Sequence, residues 1–166
     1  MLASVLLVTG CTNLGAVSAA DNRYDDAVFC SKWLVDHQGQ SQSAEGHRRC
    51  IIAVASTYVN AEDNSAPLNE QRLADDVSRH RLGTPASFVA GNGAKQQNAH
   101  SVVAAIKNRH WSVDGDEAWV VYDGYLKADP TKPGFYVAER FTIQKGLIKE
   151  ILLAGVTRLD EIGKKQ

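Results

Sequence analysis

The sequence predicts an α+β fold in which helices come first and an antiparallel sheet follows. Three observations carry this. Apolar residues recur at helical spacing between His47 and Ala61, whereas from Trp119 onward they alternate with polar ones. Two compact turn signals, "DGD" at 114–116 and "QKG" at 144–146, cut the second half into strands. At 166 residues, 44% hydrophobic and 22% charged, the chain has the length and composition of one globular domain.

The elements follow in order. From Asp25 to Val35, the residues Val28, Phe29, Trp33 and Leu34 predict a short helix, and "HQGQSQSAEG" is a linker by composition. Residues 21–46 therefore read as an N-terminal helix and polar linker. From His47 to Ala61 comes the clearest helix, with Ile51, Val54, Ala55, Tyr58 and Val59 on one stripe. Pro67 breaks the chain, and a second short helix is expected to hold Leu68 and Leu73. "VSRHRL" predicts a brief strand, "GTPASFVAGNG" a loop, and "AKQQNAHSVVAAIKNR" a further helix with Val102, Val103 and Ile106 inward. "HWSV", "EAWVVYDGYL", "FYVAERFTI" and "LIKEILLAGVT" then give at least four antiparallel strands. One face of such a sheet must be covered, and the preceding helices are what can cover it. Residues 161–166 read as a disordered tail.

The first twenty residues, "MLASVLLVTGCTNLGAVSAA", carry no charge and read as an export signal. Two versions stand beside a plain structural helix. "VSAA" suits signal-peptide cleavage, and "LVTGC" looks like a lipobox in which Cys11 is lipidated and anchors the protein to a membrane. Setting Cys11 aside leaves Cys30 and Cys50 as an even pair. In an oxidising compartment they can close a loop of about 20 residues, worth about 3 kcal/mol; two buried thiols are the alternative. Eighteen basic residues balance nineteen acidic ones, which leaves no electrostatic footprint for nucleic acid.

The order of elements, with "ASTYVNAEDN", "RLADDVSRH", "WSVDGDEAWVVY" and "ERFTIQKGLIKEI", resembles the nuclear transport factor 2-like superfamily, which includes ketosteroid isomerases, limonene epoxide hydrolases and polyketide cyclases. The resemblance runs from about residue 47 to 157 and marks 47–160 as the domain. It implies a strongly curved antiparallel sheet wrapped around three helices, forming a conical pocket for an apolar or aromatic small molecule. It also implies that Tyr58 matches the tyrosine with which ketosteroid isomerases polarise a substrate oxygen. Their general-base aspartate corresponds to the stretch from Arg79 to Arg81 with His80. Their second oxyanion-hole aspartate falls near Val137 or Ala138, beside Glu139. A homodimer through the outer face of the sheet is a further implication.

Two acids interrupt apolar strand faces. By alternation Trp119, Val121 and Tyr125 share a side with Asp123, and Phe135, Val137 and Phe141 share a side with Glu139. If Tyr125 pairs with Phe135, Asp123 and Glu139 become diagonal neighbours, roughly 7–8 Å apart at the backbone, where burial and repulsion raise a pKa toward neutrality. A one-residue slip of register separates them. His80 is the third acid–base candidate. Trp111, Trp119, Tyr122, Tyr125 and Phe135 are candidates for an aromatic ligand wall, while solvated acids and core aromatics are the plainer alternatives. The five histidines show no metal-ligand spacing, and no nucleophile motif is present. Two functions stay open. One is an exported small-molecule-binding protein. The other is a cofactor-free isomerase, dehydratase or hydrolase using Asp123, Glu139 or His80, with Tyr58 as hydrogen-bond donor.

Overall fold

The computed structural model describes residues 25–38, 45–82 and 97–158, with backbone alone at 97–99 and 155–158. The export segment, Cys11, the linker core and the tail at 161–166 lie outside the described residues.

Helix α1 (Ala27–Asp36) begins at Asp26, whose carboxylate accepts from the backbone N–H groups of Val28 and Phe29 at 2.7 and 3.1 Å. Its inner side carries Cys30, Ser31 and Leu34. Helix α2 (Glu45–Glu62) buries Ile51, Val54, Ala55, Tyr58 and Val59, the stripe the periodicity predicts, together with Cys50 and, one turn beyond Tyr58, Glu62. Asn64, in the left-handed region at φ 62°, follows its end. A disulfide joins Cys30 of α1 to Cys50 of α2 and so ties the two helices across the intervening polar segment.

The expected helix over Leu68 and Leu73 is only a 3₁₀ turn, Leu68–Glu70; Leu73 already belongs to strand β1 (Leu73–Arg81). The expected helix over 94–109 is also shorter. Helix α3 covers Gln97–Val102, and strand β2 runs from Val103 to Asp114. Val102 is 52% exposed, while Val103 and Ile106 are buried. The three-residue spacing of that pair imitates a helix because β2 bulges: Val103 pairs with Leu126 but Ala105 already with Tyr125. A second irregularity follows between Lys107 and His110, where Asn108 takes φ 53°.

Strands β3 (Glu117–Leu126), β4 (Phe135–Gln144) and β5 (Leu147–Arg158) complete a five-stranded sheet ordered β1-β5-β4-β3-β2. Strands β2 to β5 form the predicted antiparallel meander, and β1 adds to its edge parallel to β5. The sheet is curved and open, and α2 lies in its concave side against β2, β3, β4 and β5. Both predicted turns form; in the second, Lys145 and Gly146 have φ of 50° and 68°, which matches the twist of the flanking strands. The core between α2 and the sheet is filled by Ile51, Val54, Tyr58, Val120, Phe141, Ile148 and Ile151, each fully buried. Among the described residues no helix is long and apolar enough to cross a membrane.

Candidate functional site

The register between β3 and β4 decides which acid faces inward. Gly124, not Tyr125, pairs with Phe135, which puts Asp123 opposite Tyr136 and Val120 opposite Glu139. This is one residue away from the pairing that would make the two acids neighbours. The cause is local: Phe135 lays its ring where a Cβ on residue 124 would stand, 2.0 Å from Cζ, so only glycine fits opposite it. Ala118, Val120 and Tyr122 therefore point into the core with Glu139, and Trp119, Val121, Asp123 and Tyr125 point away.

Asp123 accordingly sits on the outer face, accepting from Asn108 Nδ2 at 2.6 Å. His80 is outside too: its Nε2 lies 3.0 Å from Glu150 Oε1, and Glu150 also accepts from Arg140 at 2.6 Å. The aromatic wall divides in the same way. Trp111 and Phe135 pack against the core, with Trp111 6.3 Å from Phe141 between ring centres. Trp119 lies under the Arg140 guanidinium and Tyr125 under the Lys107 ammonium, both on the outer face.

Of the four acid–base candidates, Tyr58 and Glu139 meet in the interior. Three residues that the sequence does not offer as acid–base candidates complete the cluster: Glu62, Arg79 and Tyr122, the last expected only in the aromatic wall. Glu62 lies one turn beyond Tyr58 on α2, an i,i+4 spacing on an already recognised stripe. Arg79 lies two residues beyond buried Val77 on β1, hence on the same side. Tyr122 follows Val120 in the alternation of β3. Both readings needed the sheet register before they could be made.

The Tyr122 hydroxyl is 2.8 Å from Glu62 Oε2 and 3.2 Å from Glu139 Oε2. Arg79 brings a guanidinium nitrogen to 3.9 Å from Glu139 Oε1, and its own side chain is 32% exposed against 1% for the carboxylate. Burial pushes the Glu139 carboxyl up to about 7, while Arg79 and the Tyr122 hydroxyl pull the other way. Burial, reinforced by the Glu139 charge, holds Glu62 well above the usual carboxylate range. Both phenols are also raised, chiefly by burial. Tyr58 Oη faces the Arg79 guanidinium closely enough to interact with it, yet among the described residues neither Tyr58 Oη nor Arg79 Nε makes a hydrogen bond of ordinary geometry. Buried polar atoms left this way are uncommon and costly.

Two cavities lined by described residues lie away from this cluster. One, of about 1070 Å³, opens between α1, α2 and the stretch from Ala66 to Arg72. The other, of about 360 Å³, lies where His37 and His47 meet the β4–β5 turn. Among the described residues no group of three His, Cys, Asp or Glu side chains stands close enough to hold a metal ion.

Comparison with solved structures finds the same architecture at low identity. A candidate ketosteroid isomerase from Kribbella flavida DSM 17836 is 17% identical, with 61% of this chain and 74% of that one covered, at a TM-score of 0.50. A de novo designed protein with a curved β-sheet is 18% identical over 69% of this chain and 88% of that one, at 0.52. A nuclear transport factor 2-like protein of unknown function from Cytophaga hutchinsonii ATCC 33406 is 11% identical over 65% and 88%, at 0.48. A comparison with curated proteins finds no match. The family described as "Domain of unknown function (DUF8021)" matches residues 44–153. With a curved, open sheet around a buried Tyr–Glu–Arg cluster and a family match over residues 44–153, the chain belongs to the DUF8021 family.

Proposed function

We propose that this is an exported protein that binds a small, largely apolar or aromatic molecule at the interior cluster. The ligand presents an acceptor oxygen to Tyr58 and Arg79. The observation that carries this is the pair of buried donors without a protein acceptor, Tyr58 Oη–H and Arg79 Nε–H, beside the buried Glu139. A ligand oxygen between them satisfies both at once, and the partial exposure of Arg79 offers a route from the surface. The apolar surroundings, including Phe141, Val120 and Ile151, favour a ligand with one polar end. Export is supported by the leader-like start and by the Cys30–Cys50 disulfide, a bond that persists in oxidising compartments. Membrane attachment, in this reading, is through lipidated Cys11 alone. Homodimerisation belongs to the same proposal.

One observation favours the enzyme reading. A carboxyl that titrates at about 7 can take and return a proton at ordinary pH, as an isomerase, dehydratase or hydrolase without cofactor requires. Glu139 is then the acid–base group, Tyr58 polarises the substrate oxygen, and His80 and Asp123 have no part in it.

The test is native mass spectrometry of protein purified from periplasm, followed by titration of Tyr58→Phe and Arg79→Lys with an aromatic ketone panel or the co-purified molecule. Each variant removes one donor, and loss of a hydrogen bond worth about 1 kcal/mol weakens binding about fivefold. Equal affinity in wild type and both variants overturns the assignment.

A further inference from the structure

The contacts of Tyr122 hold more than one phenol proton can explain. Its oxygen lies within hydrogen-bonding distance of Glu62 Oε2 and of Glu139 Oε2, at 2.8 and 3.2 Å, and all three groups are buried. A phenol donates once. If both acids were ionised, one carboxylate would face the phenol oxygen with no hydrogen between them. Two like charges would also be confined in a medium that screens them poorly. The arrangement closes only if one acid carries a proton and donates it to Tyr122 Oη.

The surroundings say which. Arg79, on β1, approaches Glu139 and gives its negative charge a partner. Around Glu62 the groups from each packed element are Tyr58 on α2, Asp63 just past its end, Arg79 on β1, Tyr122 on β3 and Glu139 on β4. Asp63 is already engaged by Arg109 of β2 at 2.6 Å, and His100 of α3 donates to the Ala61 carbonyl at 2.9 Å. In the salt-bridge geometry of this cluster the guanidinium goes to Glu139 and not to Glu62.

We infer that Glu62 is a neutral carboxylic acid in the folded protein and heads a proton relay, Glu62 Oε–H to Tyr122 Oη–H to the Glu139 carboxylate. Resting on the reading of Glu139 as the ligand-side acid–base group, the relay gives that group an internal partner. When the relay turns over, the Glu62 O–H and Tyr122 O–H bonds break while a new Tyr122 O–H and a Glu139 O–H form. The negative charge passes from Glu139 to Glu62, no atom heavier than hydrogen need move far, and no water is required. Glu62 is thus a positioning residue: it acts on the ligand only through Tyr122 and Glu139.

The experiment is infrared difference spectroscopy of the ligand-free protein, reading the C=O band of a protonated carboxyl at pH 8, above the Glu139 titration. The expected result is a band in the wild type that is lost on Glu62→Gln, an isosteric change whose amide N–H still donates to Tyr122 Oη. Absence of the band from the wild type, or its survival in Glu62→Gln, overturns the inference. Tyr122→Phe provides an independent measurement should Glu62→Gln not fold. Cutting the relay removes a donor to Glu139, so the Glu139 titration moves to higher pH; an unmoved titration overturns the relay. Because no ligand is present, these results stand apart from the binding proposal: missing ligand leaves the band, and a missing band says nothing of the ligand.

Discussion

Replacing Glu139 by glutamine keeps the shape of the side chain and removes its ability to ionise. The carboxyl titrates at about 7 in the folded protein against an ordinary value of 4.5, because it is sealed between α2 and the sheet. A raised carboxyl pKa means the folded state holds the proton more tightly than the unfolded chain. Below 4.5 both states are protonated and the acid costs nothing. As pH rises from 4.5 to about 7 the unfolded chain releases the proton first, so stability falls, and above 7 the loss is complete. Each unit between the two titrations is worth about 1.4 kcal/mol, giving a loss of about 3 kcal/mol across that interval. Glu139→Gln escapes this loss. Urea denaturation of wild type and variant at pH 4.5 and pH 8 measures it. The variant should gain about 3 kcal/mol on the wild type at pH 8 relative to pH 4.5. That figure already contains the contact with Arg79, which favours the ionised acid and holds the titration down to about 7. A pH-independent difference, or one that favours the wild type more at pH 8, refutes the buried, proton-retaining Glu139 on which the site rests.

Two further outcomes test the frame around the site. Reducing the Cys30–Cys50 disulfide, which spans 20 residues of sequence, releases the α1–α2 connection in the unfolded chain and should cost about 3 kcal/mol, read from melts with and without reductant on wild type and Cys50→Ser. Gly146→Ala should cost about 2 kcal/mol in urea denaturation, since the turn needs φ 68° and a Cβ would stand 2.0 Å from the Ser31 carbonyl oxygen of α1; an unchanged midpoint would mean that α1 does not pack on that turn.

What was readable in the sequence is what one element states about itself. The α2 stripe, the alternation of β4 and the two turns are local patterns, and each formed as read. Val103 and Ile106 misled because a bulge gives a strand the spacing of a helix, and a bulge is defined by the neighbouring strand. Leu73 misled in a similar way: its strand exists by pairing with β5, some seventy residues later, and nothing between Asn69 and Asp76 announces that partner.

The candidate site divides along the same line. Sequence alone determined that Glu139 interrupts an apolar face, that Tyr58 lies on a buried stripe, and that Cys30 and Cys50 form an even pair. Only the tertiary structure decided that Asp123 faces outward, that His80 pairs with Glu150, and that Glu62, Arg79 and Tyr122 surround Glu139. The physical reason is that a strand's side chains alternate with period two. A slip of one residue, set here by the Phe135 ring over Gly124, exchanges the two faces of a strand without altering a letter of its sequence.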